Sequence, residues 1–464
     1  MLDVNESLRE AHLGSYWASF LSKEVQFQPP VGELEFDLTI IGAGFTGLWS
    51  AILAKDRYPT LNIAVFDAGL IGSAASSRNG GFISESLSHG HIHGMNLWSD
   101  EMAEIVAMGR ENFTEIENFL INENIDAQLV RCGKRVVATK PHHLAELDAA
   151  FLVQTQMGEH ALLQDQVQIQ KEISSPTYLG AIRIYSGSGL LNPAQLIKGL
   201  TQSAVKRGIV FFENSPVGAL KSRGNAVFLS CPKANIKATK VILATNAFTP
   251  LLKRIQPRIL PLFEHVLTTQ ILTNEQLASL NWKDSEGITD MGNQFHYYRK
   301  TADNRILWGG YDAQYYFNNN TSTAHENRSS SFELIASQFF ETFPQLNGVK
   351  FDYKWAGMID STTRFTPYFG TAHKGAIAYA VGFTGLGVAA SRFGAQTCLD
   401  LLYEPGSKRL ELNMVRNKPI PFPPEPFRLA AVVFTRKSLQ RQDLTGKRGL
   451  WLRILDAFKV GFNS

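Results

Sequence analysis

Short apolar runs closed by glycine alternate along this chain with stretches whose apolar residues recur at helical spacing. Leu38, Ile40 and Ile41 form the first run, and it ends in Gly42-Ala43-Gly44-Phe45-Thr46-Gly47. Unbroken apolar runs of this length read as buried parallel strands. A second run, Asn62 to Phe66, closes on Asp67. From about 95 to 125, Met102, Ile105, Val106, Phe113, Ile116, Phe119 and Leu120 predict helix, as do Leu144, Leu147 and Phe151. Pro193 opens a helix running to Gly208, where a missing N–H costs nothing. Ile209 to Phe212, Val241 to Ala244 and Ala376 to Val381 read as further strands, and Phe332 to Phe343 as helix. Phe295 to Arg299 and Arg305 to Tyr311 flank Ala302-Asp303-Asn304 as a hairpin. Five prolines between Pro419 and Pro426 predict an extended strap, followed by a short apolar helix from Leu450 to Phe458 that docks on its own chain.

The first run carries chemistry. Gly42 allows a tight turn, Gly44 lets a pyrophosphate approach the backbone, and Gly47 lets the helix lie close to the sheet. Phe45 and Thr46 start that helix, whose free N–H groups and positive dipole end suit phosphates. Asp67, with Ala68 after it, stands twenty residues beyond Gly47 and is placed to accept from a ribose. Next come Ser76, Ser77, Arg78, Asn79, Gly80 and Gly81, small and polar residues that let the backbone lie along a large planar ligand. Near the other end, Gly382, Thr384, Gly385, Leu386, Gly387 and Val388 form a second glycine-rich turn into a helix. Such a helix start offers N–H groups to the edge of a flavin that turns negative on reduction.

These two segments, with Tyr379-Ala380-Val381 leading the second, resemble the D-amino-acid-oxidase-like flavin enzymes over about residues 36 to 400. The resemblance is nearest to the gamma-glutamylputrescine-oxidase-like branch, on the hairpin Tyr297 to Gly310. It implies an α/β fold: a Rossmann-like FAD-binding domain (36–90, 180–254, 351–415) interleaved with a β-rich α+β substrate domain (91–179, 255–350). An N-terminal extension (1–35) packs on the body, and a strap and helix (416–464) follow. Non-covalent FAD is implied, with Val217, Thr245, Asn246, Ala247 and Gly357 closing its site. The implied reaction is oxidation of an amine C–N bond: hydride to flavin N5, imine hydrolysis, and reoxidation by O2 or another electron acceptor. No lysine stands in Ile306 to Gly309, where sarcosine oxidase would lead one to seek an oxygen-activating residue. The carboxylate-gripping arginine of the amino acid oxidases is replaced by Ile359, and Asp360 adds an acidic wall suited to a cationic amine. Asp360, Trp308 and Tyr298 are therefore the expected catalytic residues. An amino acid oxidase or dehydrogenase holding its carboxylate with Arg299 or Arg364 is the alternative, and a flavin-binding module without catalysis is a third reading.

Composition narrows the rest. The chain of 464 residues is 44% hydrophobic and 19% charged, ordinary for a globular protein of two or three domains. A net charge of +3 argues against a nucleic-acid partner, and no apolar run approaches a membrane span. Cys132, Cys231 and Cys398 show no metal-ligand or disulfide spacing, and the first residues show no signal-peptide pattern, so a cytoplasmic protein is expected. His89, His91 and His93 alternate but find no second cluster, so no metal is expected, and a solvated or flavin-side loop is. Glu264-His265 reads equally as structural or substrate-facing.

Overall fold

The computed structural model describes residues 4–21, 26–248 and 251–461. Residues 1–3 of the N-terminal reading and 462–464 of the tail lie outside them. Two sheets carry the molecule. In the first, Gly32–Ile41 lies parallel between Ile63–Phe66 and Ala234–Leu243, and Val210–Phe212 pairs beyond Ile63–Phe66. Ile377–Val381 pairs parallel with the upper half of Ala234–Leu243, and Tyr368–Ala372 lies antiparallel to it. Leu38, Ile40, Val65 and Ile242 are fully buried in this parallel core, as their apolar runs require. The helices Phe45–Arg57, Pro193–Lys206 and Gly387–Tyr403 pack on it. Asn192 caps the second of these, its side-chain oxygen accepting from Ala194 N–H (3.1 Å) and Gln195 N–H (3.2 Å).

The second sheet has nine strands, in the order His12–Leu13, Phe351–Ser361, Leu260–Thr269, Ile306–Gly310, His296–Lys300, Gly287–Asp290, Lys134–Ala138, Gly180–Ile184, Ala161–Asp165. Helix Ser329–Thr342 covers one face of its central strands through Phe332, Ile335 and Phe339. The opposite face looks toward the first sheet. Gly180–Ile184 and Phe351–Ser361 thus belong to the nine-stranded sheet, not to the expected FAD-binding segments, because each alternates across this sheet and bonds to neighbours on both sides. Gly32 to Glu35, expected in the N-terminal extension, begin the first parallel strand. Among the described residues of that extension, Trp17 Nε1 donates to the Asn79 carbonyl (2.8 Å) and Ser15 Oγ to the Ser77 carbonyl (2.6 Å).

The strap leads into a 19-residue helix, Phe427–Thr445, that the sequence pattern did not reveal. Its apolar residues follow no clean stripe: Phe427, Phe434 and Leu444 are exposed while Leu439 lines the cavity. Leu450–Ala457 follows and docks through Leu452, which is 1% exposed. No described helix is long and apolar enough to cross a membrane.

Candidate active site

One continuous cavity of about 1500 Å³ runs between the sheets. It starts at Gly42, Gly44, Phe45 and Thr46, passes Asp67, Ala68, Ser76, Arg78, Asn79 and Gly80, and ends beside Thr384 to Val388. Val217, Thr245, Asn246 and Gly357 also border it. Drug-sized pockets reach only about 1000 Å³, so a large cofactor and a substrate fit together.

The glycines earn their positions by close approach. A Cβ on Gly42 would meet the Ala244 carbonyl oxygen at 2.4 Å, and one on Gly47 would meet the Gly42 oxygen at 1.8 Å. Gly47, Ser77, Gly81, Ala247 and Gly382, all expected at the cofactor, do not line the cavity and act behind it. Ser77 Oγ, for instance, donates to the Gly72 carbonyl (2.7 Å), and Ala247 sits in the core. Asp67 shapes the phosphate turn: it accepts from Ala43 N–H (2.7 Å) and Gly69 N–H (2.8 Å). Burial raises its pKa above the usual carboxylate value. Arg78 is fixed by Glu326 (2.5 Å). Asn246 is held at φ 52° with its side-chain oxygen buried and unpartnered at the cavity, so it has room for one donor from a ligand.

The substrate side departs from expectation in three places. Tyr298 and Trp308 do not line the cavity. They are directly paired across adjacent strands and turn to the helix-covered face, where both are fully buried. Tyr298 shares a hydrogen bond with Tyr178 (2.6 Å), and Trp308 packs edge-on to Phe339 and Phe343. Asp360 borders the cavity, but its carboxylate accepts from Gly382 N–H (2.5 Å) and Phe383 N–H (3.1 Å). It fastens the second glycine turn instead of presenting charge to a substrate, and burial lifts its pKa to about 7. Arg299 donates to the Leu191 (2.7 Å) and Gly81 (3.3 Å) carbonyls, and Arg364 to those of Asn417 (2.7 Å) and Met414 (2.9 Å). Neither lines the cavity, so neither is placed to hold a substrate carboxylate.

Glu264 does line the chamber, as do Lys134, Glu146 and Asp290. It stands opposite Gly357 and two residues from Leu262, which stands opposite Ile359. All four line the cavity. The Tyr297 ring lies over Gly309 with its hydroxyl toward the Glu264 carboxylate, and burial raises that carboxyl's pKa to about 7. Tyr297 lies against the cofactor segment: a Cβ on Gly80 would meet its ring at 2.6 Å. In the sequence, Glu264-His265 reads equally as structural or as part of a strand entering the substrate domain.

His89 and His91 line the cavity, but His91 and His93 stand on helix His91–Trp98 and not on the expected loop; no group of metal-ligating residues forms among the described residues. Burial pushes the pKa of His89 down to about 3, so it is neutral at physiological pH. His93 is buried beneath, its Nε2 2.9 Å from the Arg364 carbonyl.

A family model described as FAD dependent oxidoreductase (DAO) matches residues 37–401. The chain is 30% identical over 401 residues to gamma-glutamylputrescine oxidoreductase of Escherichia coli K12, covering 84% of this chain and 89% of that one. It is 28% identical over 395 residues to the probable oxidoreductase OrdL of Haemophilus influenzae, covering 82% and 86%. Among solved structures, glycine oxidase from Geobacillus kaustophilus superposes with a TM-score of 0.68 at 17% identity, covering 81% of this chain and 96% of that one. That last likeness is one of fold.

Proposed function

The chain belongs to the family of FAD-dependent oxidoreductases, and on that footing we propose that it oxidises the carbon–nitrogen bond of an amine, with O2 or another acceptor taking the electrons. The observation that carries this reading is the Glu264 carboxylate, half-buried on the chamber wall with the Tyr297 hydroxyl toward it. A carboxylate there suits a cationic amine, whereas an amino acid substrate asks for a cation. The two arginines first in line for that task, Arg299 and Arg364, are committed to backbone carbonyls.

Bound FAD supplies the two-electron acceptor that takes hydride from the carbon bearing nitrogen. The chain's own groups do the rest. Glu264, with a pKa of about 7, pairs with the arriving ammonium and accepts its proton. The neutral amine's lone pair then assists departure of hydride, and the imine hydrolyses to a carbonyl compound and an amine. Tyr297 keeps the carboxylate oriented. Leu262 and Ile359 exclude water from the C–H bond. The start of helix Gly387–Tyr403, fastened through Asp360, directs backbone N–H groups at the site.

Anaerobic bleaching of the flavin band across primary, secondary and poly-amines, beside glycine and D-alanine, tests the reading. Bleaching by amines is expected. Efficient bleaching by glycine or D-alanine with every amine inert sinks it in favour of an amino acid oxidase.

A further inference from the structure

The reacting end of the cavity is walled by chain that lies beyond residue 401, where the family match ends. Helices Phe427–Thr445 and Leu450–Ala457 fold against each other: Trp451 Nε1 donates to Thr435 Oγ1 (2.9 Å), and its ring meets Phe434. Arg448 ties their connection together through Asp456 (2.6 Å) and Gln442 (2.8 Å). The pair is fixed to the body at both ends. Asp443 accepts from the backbone N–H groups of Asn293 (2.9 Å) and Gln294 (2.8 Å), on the loop at the cavity rim. Gly461 N–H donates to the Thr363 carbonyl (3.0 Å), and the Thr363 hydroxyl donates to the Ile420 carbonyl (2.8 Å). Thr363 follows closely on Ile359 and Asp360, so the pair comes down over the reacting end and not over the phosphate turn.

The inward face is apolar. Leu439, Trp451, Leu452, Leu455, Phe458 and Val460 line the cavity. Leu262, Met291 and Phe365 line it from the body. The charged groups on the pair that reach the cavity have partners: Arg436 stands by Asp312 (3.7 Å), and Arg448 is bound to Asp456. Such a wall rewards apolar area removed from water and gives a polar chain no directional partner.

We propose that this helical pair is the specificity wall of the substrate chamber. The substrate it fits is an amine joined to a bulky apolar or aromatic part. The nitrogen points to Glu264 and the apolar part lies against Leu455 and Trp451. The inference rests on the amine reading and narrows it.

The test uses the full-length holoprotein and its Leu455→Ser and Leu455→Met variants, with flavin content and Tm as folding controls. Propylamine, putrescine, hexylamine and phenethylamine are compared by anaerobic bleaching and by titrated perturbation of the flavin visible band. Wild type is expected to bind hexylamine and phenethylamine about tenfold more tightly than propylamine and putrescine. Leu455→Ser should erase most of that preference with propylamine changed less than about twofold, and Leu455→Met should keep it. Equal binding of putrescine and hexylamine by wild type, or a uniform change across all four in Leu455→Ser, overturns the wall. If no amine bleaches the flavin, the amine reading fails by itself. The wall is then judged by band perturbation with hexanoate and propionate: a preference for hexanoate lost in Leu455→Ser upholds it, and no preference overturns it.

Discussion

Tyr297 reaches the Glu264 carboxylate across an intervening strand because residue 309 between them is glycine. A Cβ there would stand 2.7 Å from the tyrosine ring. The same ring lies against Gly80 on the cofactor side. One tyrosine thus touches the acid proposed for the substrate and the segment expected along the flavin.

Glu264→Gln should raise KM for amines by roughly ten- to a hundredfold, the worth of one charge-assisted hydrogen bond at about 1.5–3 kcal/mol. Burial holds the wild-type carboxyl near pH 7. Below that pH the group is protonated and attracts a cation weakly, so KM should fall as pH rises through about 7. Glu264→Gln should flatten that limb. A KM unchanged in the variant would remove Glu264 from the substrate site.

Asp360→Ala should harm the fold more than amine recognition. It frees the N–H groups of Gly382 and Phe383, each costing about 1–3 kcal/mol when buried and unpaired. A lower Tm and weaker flavin retention are expected, with KM in the surviving holoprotein near wild type. A KM effect at unchanged Tm would restore Asp360 to the substrate wall.

Asp67→Ala should weaken FAD retention by roughly ten- to a hundredfold. The phosphate turn loses its fastening to Ala43 and Gly69, and the ribose loses an acceptor. Equilibrium dialysis against FAD measures it, and an unchanged affinity would mean that another group carries the ribose.

Trp308→Ala should cost about 3–5 kcal/mol of stability through the cavity it leaves, while Tyr298→Phe should leave turnover within about twofold, its hydroxyl serving only a buried pair. Chemical denaturation and steady-state kinetics separate the two effects. A tenfold loss of kcat in Tyr298→Phe at unchanged stability would bring that hydroxyl back to the chemistry.

Flavin should leave the protein on acid precipitation, as the non-covalent attachment implied by the family resemblance requires. Yellow colour retained in the pellet would show attachment.

The cofactor half was legible because its demands fall on the backbone. Gly42, Gly44 and Gly47 are spaced by the turn itself, and that spacing survives without any knowledge of what packs around it. The substrate half depends on which face of a strand a side chain takes, which register and the covering helix decide. Tyr298 and Trp308 point to the helix-covered face while Tyr297 lines the chamber, and Asp360 borders the chamber with its carboxylate bound to Gly382 and Phe383 N–H. Glu264 reads from the sequence equally as structural or as part of a strand entering the substrate domain, and only the register sets it opposite Gly357 on the cavity wall. The helix Phe427–Thr445 carries no stripe because several of its apolar residues, Phe427, Phe434 and Leu444 among them, face solvent.

The parallel sheet also imposes an order of assembly. Strand Gly32–Ile41 finds Ile63–Phe66 early, but its other edge waits for Ala234–Leu243, and Ile377–Val381 joins later still. At a synthesis rate of about 5–20 residues per second, that edge stays open on the ribosome for roughly ten to forty seconds, an exposed apolar template for any other strand. Nascent chains of this protein are therefore vulnerable to mispairing over that interval, and yield in a cell should depend on chaperone supply more steeply than the stability of the finished molecule suggests.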